Sequence, residues 1–210
     1  MTTAAQVKQV VGPLLKRNPD LALVGRLVVV KPVHHILRGI YIDWRSFNSK
    51  LFVPTWAANF LFQPNAHFHF FWGKRVHGAW GIDAPDLAEK LADAIERDAL
   101  PTLRSIVTID DFVRFANGAW VEDHKPYIDV ALGDFNAALS MCDFFASLNG
   151  DYGIRQDESE HVVRELCPRI AANDRCGLAQ LLHKHEAESV KRLKLEKFWE
   201  PTPFPIEMKS

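Results

Sequence analysis

Apolar residues recur every three or four positions from Ala4 to Lys16, placing Val7, Val10, Val11, Leu14 and Leu15 on one stripe before Asn18-Pro19-Asp20 breaks the pattern. This predicts a leading helix. The texture then turns to β-branched and aromatic runs, Leu21 to Lys31, Val33 to Trp44, Leu51 to Phe62 and His67 to Trp72, punctuated by Pro32, Pro54, Pro64 and Gly73. Runs this close together predict an antiparallel sheet of four or more strands. In the last of them alternation would put Phe68, Phe70 and Trp72 on one face and His67, His69 and Phe71 on the other.

After Gly81 the period lengthens again. Asp83-Ala-Pro-Asp86 opens a helix with Leu87, Leu91 and Ile95 one turn apart, which Pro101 bends or ends. Thr108-x-x-Asp111 has the form of a capping box, and Asn117-Gly118 closes the short helix it starts. Pro126 to Leu132, the turn Gly133-Asp134 and Phe135 to Phe145 read as a helical hairpin. Asp157-x-x-Glu160 caps a helix carrying Val162, Val163, Leu166 and Ile170, kinked at Pro168. Asp174 begins a polar helix that should run to about Trp199, and Pro201 to Ser210 should trail extended with Phe204 as an anchor. The fold class is therefore α+β: a sheet subdomain over residues 1–80, a helical subdomain over 81–200 and a tail over 201–210.

Composition sharpens this division. The first eighty residues hold ten Lys and Arg but only Asp20 and Asp43 as acids, a formal +8 against −9 for the remainder. Such a split lets the two parts attract each other, or lets one attract an anionic partner. Eleven of the twenty Phe and Trp residues lie between Trp44 and Trp80, so the basic part should also hold much of the core. A chain of 210 residues buries roughly 70% of its unfolded surface, enough to fold without a cofactor, and none is expected.

Candidate chemistry is concentrated in the same part. His34, His35, His67, His69 and His77 fall within forty-four residues. On a strand His67 and His69 would share a face, whereas His34 and His35 would point apart, so a metal site would need His67, His69, one of that pair and Asp43. The plainer reading makes His67 and His69 the polar members of an alternating strand, and no metal is assigned. Arg38 falls on the side of Ile36, Ile40 and Ile42, where a permanent charge needs a partner: a carboxylate, a backbone carbonyl or an anionic ligand, in that order. Gly39 marks a bulge or a close backbone approach. The candidate binding set is Arg38, Asp43, His35, His67, His69, Lys74 and Arg75. No phosphate loop, dinucleotide fingerprint, nucleophile elbow or His-Glu-x-x-His is present, and no catalytic residue is assigned.

Cys142, Cys167 and Cys176 are odd in number and lack Cys-x-x-Cys spacing, which reads as three reduced packing cysteines in a cytoplasmic protein. No apolar run approaches the ~20 residues that span a bilayer, and Met1 to Lys8 lacks a signal-like core. The stretch Pro-Val-His-His-Ile-Leu-Arg-Gly-Ile-Tyr from Pro32, followed by Phe-Val-Pro and Gly-Lys-Arg up to Arg75, resembles segments of uncharacterised bacterial proteins, and the organisation is similar to small α+β proteins of bacterial conflict or immunity loci. Ala131 to Leu139 resembles the turn of a tetratricopeptide hairpin, with no second copy at its period. The first of these likenesses implies a bacterial binding protein. The expected function is recognition of a partner protein or anionic ligand through the basic sheet face or the groove beside it. Nucleic acid ranks lower because the cations are scattered, and no membrane partner is expected. The alternatives are a hydrolase or nuclease built on the histidines, and a structural or regulatory subunit.

Overall fold

A computed structural model describes residues 4–44, 51–78, 80–81, 83–117, 124–147 and 160–208, without the side chains of Asp43, Trp44 and Phe52. The fold is α+β, as the sequence pattern predicts. A helix α1 (Ala4–Arg17) precedes the strands β1 (Leu21–Val24), β2 (Leu27–Val30), β3 (Ile36–Trp44), β4 (Leu51–Phe60), β5 (Gly73–Arg75) and β6 (Trp80–Gly81). The helices α2 (Leu87–Asp98), α3 (Leu100–Ser105), α4 (Ile109–Ala116), α5 (Lys125–Leu132) and α6 (Phe135–Ser147) follow. A π turn (Val162–Leu166), α7 (Cys167–Ala171), α8 (Arg175–Arg192) and α9 (Pro205–Met208) complete the described chain. None of the described helices is long and apolar enough to cross a membrane.

The strands follow the order β1-β2-β3-β4-β5, with β6 also pairing to β4. Leu21 to Lys31 is a hairpin rather than one strand, turning at Gly25, whose φ of 61° favours glycine. In the β2–β3 pair Val29 faces Gly39, and a Cβ on Gly39 would lie 2.9 Å from the Val28 carbonyl oxygen. The close approach expected at Gly39 is thus between strands.

The chain divides into two compact units. The first comprises residues 1–59, 68–115 and 194–200, and so joins most of the sheet to α1 through α4. Its core sets Val7, Val10, Val11 and Leu14 of α1 with Ile40, Ile42 and Trp56 of the sheet and Leu91 and Ile95 of α2. The charge split is used within this unit. Arg17 at the end of α1 pairs with Glu89, Asp93 and Glu96 of α2, and Arg104 holds Asp20 through two bonds of 2.8 Å. These pairs are half exposed, so burial of the apolar stripe supplies most of the stability.

The second unit comprises residues 60–67, 116–193 and 201–210. Phe62 meets Phe204 at 5.2 Å between ring centroids, and Phe60 meets His124 at 5.6 Å. Phe204 is fully buried and also lies 4.7 Å from the His183 ring. The tail is therefore anchored as predicted, although Pro205–Met208 closes into a short helix. The hairpin α5–α6 turns at Gly133 with a φ of 74°. In the first unit the Thr108–Asp111 capping box is present: Thr108 N–H donates to Asp111 Oδ2 at 2.8 Å and Asp111 N–H to Thr108 Oγ1 at 3.1 Å. Asp157 lies outside the described residues.

Three expectations are corrected. His67 to Trp72 is not a strand; the ladder with β4 begins only at Trp72 and Gly73. The polar helix ends at Arg192 instead of near Trp199, because Lys194 takes a left-handed φ of 59° and the chain runs on to pair Val33 with Trp199. Cys142 and Cys167 form a disulfide between α6 and α7, leaving Cys176 free and exposed. An odd count left such a pair open, and helix packing brings the two Cα atoms to 5.6 Å. The pairing removes the argument for a reducing compartment drawn from cysteine spacing.

Pro168 perturbs its helix one turn earlier than a simple kink. Its ring supplies no N–H and would crowd the carbonyl four residues back. The chain passes this point in a widened π register, in which Cys167 N–H donates to the Val162 carbonyl.

Candidate functional site

The segment 67–72 departs from strand geometry because side chains take the bonds a ladder would supply. Asn59, buried near the end of β4, accepts from the His69 N–H through Oδ1 at 3.1 Å, and its Nδ2 lies 3.3 Å from the His69 ring nitrogens. Phe71 N–H donates to His69 Nδ1 at 3.4 Å. His69 is thus folded into the loop's own support. The chain rejoins β4 at Gly73, where a Cβ would stand 2.4 Å from the Trp56 carbonyl oxygen; only glycine fits.

This clamp turns the aromatic residues to different tasks. Trp72 is buried, with Phe112 of α4 at 5.2 Å and the His69 ring at 5.0 Å. Phe70 leans on Tyr41 of β3 at 5.8 Å and on Phe68 at 5.6 Å, yet remains 42% exposed, and Phe71 is 55% exposed. Lys74 and Arg75 follow at once, both exposed, on the last strand of the sheet among the described residues, and alternation turns them to opposite faces, Arg75 across from Thr55 and Lys74 across from Trp56. From Trp44 to Ile82 the sequence contains Arg45, Lys50, Lys74 and Arg75 and no carboxylate. The result is a rim of two exposed rings beside a sheet edge that carries one cation on each face.

The other predicted site residues are dispersed. Arg38 is buried on β3 and donates through Nη2 to the Pro32 carbonyl at 2.7 Å, the second of the three partners expected for it. Burial disfavours its charged form, and the Asp20 carboxylate partly offsets this. His35 is buried in the approach to β3, while His34 lies with Nδ1 2.8 Å from the Glu200 carbonyl oxygen. His67 belongs to the second unit, exposed, with Nδ1 3.3 Å from the Asn65 carbonyl oxygen. The side chain of Asp43 lies outside the described residues. Among the described residues no group of three or more His, Cys, Asp or Glu is arranged to hold a metal ion.

A second polar cluster, in the second unit, was not read from the sequence. Glu165 on the π turn places Oε1 3.5 Å from His161 Nδ1 and Oε2 3.5 Å from Nε2 of His185, which is 4% exposed and faces the Tyr127 ring. Burial holds the His185 imidazole below its ordinary range, against the pull of Glu165. His183, two residues earlier on α8, turns instead to Glu207 at 2.9 Å, as helical spacing requires.

No family model, curated protein or solved structure matches this chain.

Proposed function

We propose that this protein is an interaction module that captures an extended acidic segment of a partner protein on the rim formed by residues 68–75. The observation that carries the reading is the exposure of Phe70 and Phe71 beside Lys74 and Arg75 on an edge strand, in a stretch of sequence without acids. Rings of this size hold a binding surface by burial, since a few aromatic anchors carry most of an interface's energy. Cations at their side add charge selection and speed of encounter. Among the described residues no further strand pairs with the outer side of β5, and such an edge can take an incoming extended chain. An acidic segment with an apolar residue matches all three features.

The histidine-based hydrolase has less support, because His34 and His69 are held by different partners. For a regulatory subunit, the exposed Leu139 and Phe144 on α6 stand five positions apart, roughly 140° around the helix, and so make no single face.

The test is binding of the full chain to an array of extended ten-residue peptides graded in acidic and apolar content, with single-stranded oligonucleotides as a separate arm. Affinity should rise with acidic residues, weaken with salt, and fall at least tenfold in a Phe70→Ser/Phe71→Ser variant. Binding that ignores peptide charge, survives loss of both rings, or favours the oligonucleotides would overturn the proposal.

A further inference from the structure

Arg38 presents a different problem, on the opposite side of β3 from Tyr41 and hence from the rim. Only 7% of its surface is exposed, and among the described residues its one hydrogen bond goes to the Pro32 carbonyl. Among the described residues no carboxylate forms an ion pair with it. Asp20 acts on it from a distance, but both Asp20 oxygens are taken by Arg104 at 2.8 Å, and Asp20 also answers to Lys31. Three cations, Lys31, Arg38 and Arg104, thus share one carboxylate. Glu96, which also acts on Arg104, is engaged by Arg17 at 3.2 Å and by Asn18 at 2.7 Å.

A guanidinium offers five N–H donors in a planar fork, and here one is used. Among the described residues none of the remaining nitrogens is a fully buried donor left without a partner. A leucine would continue the stripe of Ile36, Ile40 and Ile42 without any electrostatic cost, so packing does not account for the arginine. A largely buried cation with open donors is completed by an anion that accepts two parallel hydrogen bonds.

We propose that Arg38 is the base of a small oxyanion site, with Lys31 adding positive charge, that takes a phosphate or carboxylate group in bidentate fashion. The site stands independently of the rim, so loss of peptide capture and loss of anion binding are separate results.

The experiment is thermal unfolding of the full chain in inorganic phosphate, acetate or chloride at matched ionic strength, comparing wild type with Arg38→Met and Arg38→Lys. Phosphate or acetate at ten times its dissociation constant should raise the wild-type midpoint by roughly 3–5 °C over chloride. Arg38→Met should abolish that rise, and Arg38→Lys, which keeps the charge without the fork, should weaken affinity at least tenfold. Should Arg38→Met fail to fold, the Arg38 Nε–H resonance of wild type must move on addition of phosphate or acetate. Equal midpoints in all three salts, an unchanged rise in Arg38→Met, or a static resonance would each overturn the proposal. The salt that acts decides between phosphate and carboxylate.

Discussion

Removing the Cys142–Cys167 disulfide should lower stability by an amount that follows from its place in the chain. The two cysteines are 25 residues apart. Cross-linking a loop of this length removes roughly 3.5 kcal/mol of chain entropy from the unfolded state at 25 °C. For a protein of this size each kcal/mol moves the melting point by roughly 2–4 °C, so the loss should be about 7–14 °C. Calorimetry of wild type with and without reductant, and of Cys142→Ser, Cys167→Ser and the double variant, measures it. The three variants should melt alike and be insensitive to reductant. A thiol count on denatured, unreduced protein gives an independent reading, with one thiol expected, that of Cys176. Three thiols, or a wild-type melting point indifferent to reductant, would refute the pairing.

Three further outcomes follow from particular side chains. Asp111→Ala should cost about 1 kcal/mol by removing one side of the capping box. Its carboxyl, held at about 2 by the Thr108 N–H above all, contributes stability that is present above about pH 4 and lost as pH falls toward 2; the variant should lack that acid limb in urea titrations. His185 acts in the same sense at a higher pH, through burial rather than hydrogen bonding. The folded state disfavours its charged form, so the unfolded chain binds more protons and stability, complete above about pH 6.5, declines as pH falls below that value. The urea midpoint should drop between pH 7.5 and 5.5, and His185→Gln should flatten the slope; an unchanged slope would mean another group carries it. Phe204→Ala empties a fully buried site between Phe62 and His183 and should cost about 3–5 kcal/mol by chemical denaturation, whereas a cost near zero would show that the tail is not anchored there.

Much of the fold was legible because period and punctuation agree with packing. Val7, Val10, Val11 and Leu14 are the buried stripe of α1, and Thr108 and Asp111 cap α4 as their spacing indicates. Arg38 was readable as a buried cation from its place among isoleucines, but not its acceptor, because Pro32 reaches it only through the turn into β3. The rim was misread at His67 to Trp72, where an alternating aromatic run had every strand propensity. A single buried amide, Asn59, diverts the backbone by taking its hydrogen bonds. An Asn inside the apolar run from Ala57 to Phe62 was the one available signal. His161 and Glu165 stand four apart as on any helix, but His185 lies on α8, and only the packing of α8 against the π turn brings it to Glu165.

The central claim is that the exposed rings, with the cations of the edge strand that follows them, select an acidic partner segment. Charge reversal tests it most directly: affinities of wild type and of Lys74→Glu/Arg75→Glu for a matched pair of ten-residue peptides, one acidic and one basic, each with a central Phe. The account predicts that wild type prefers the acidic peptide by at least tenfold and that the variant reverses the order. The same order in both proteins, or no preference in wild type, would contradict it.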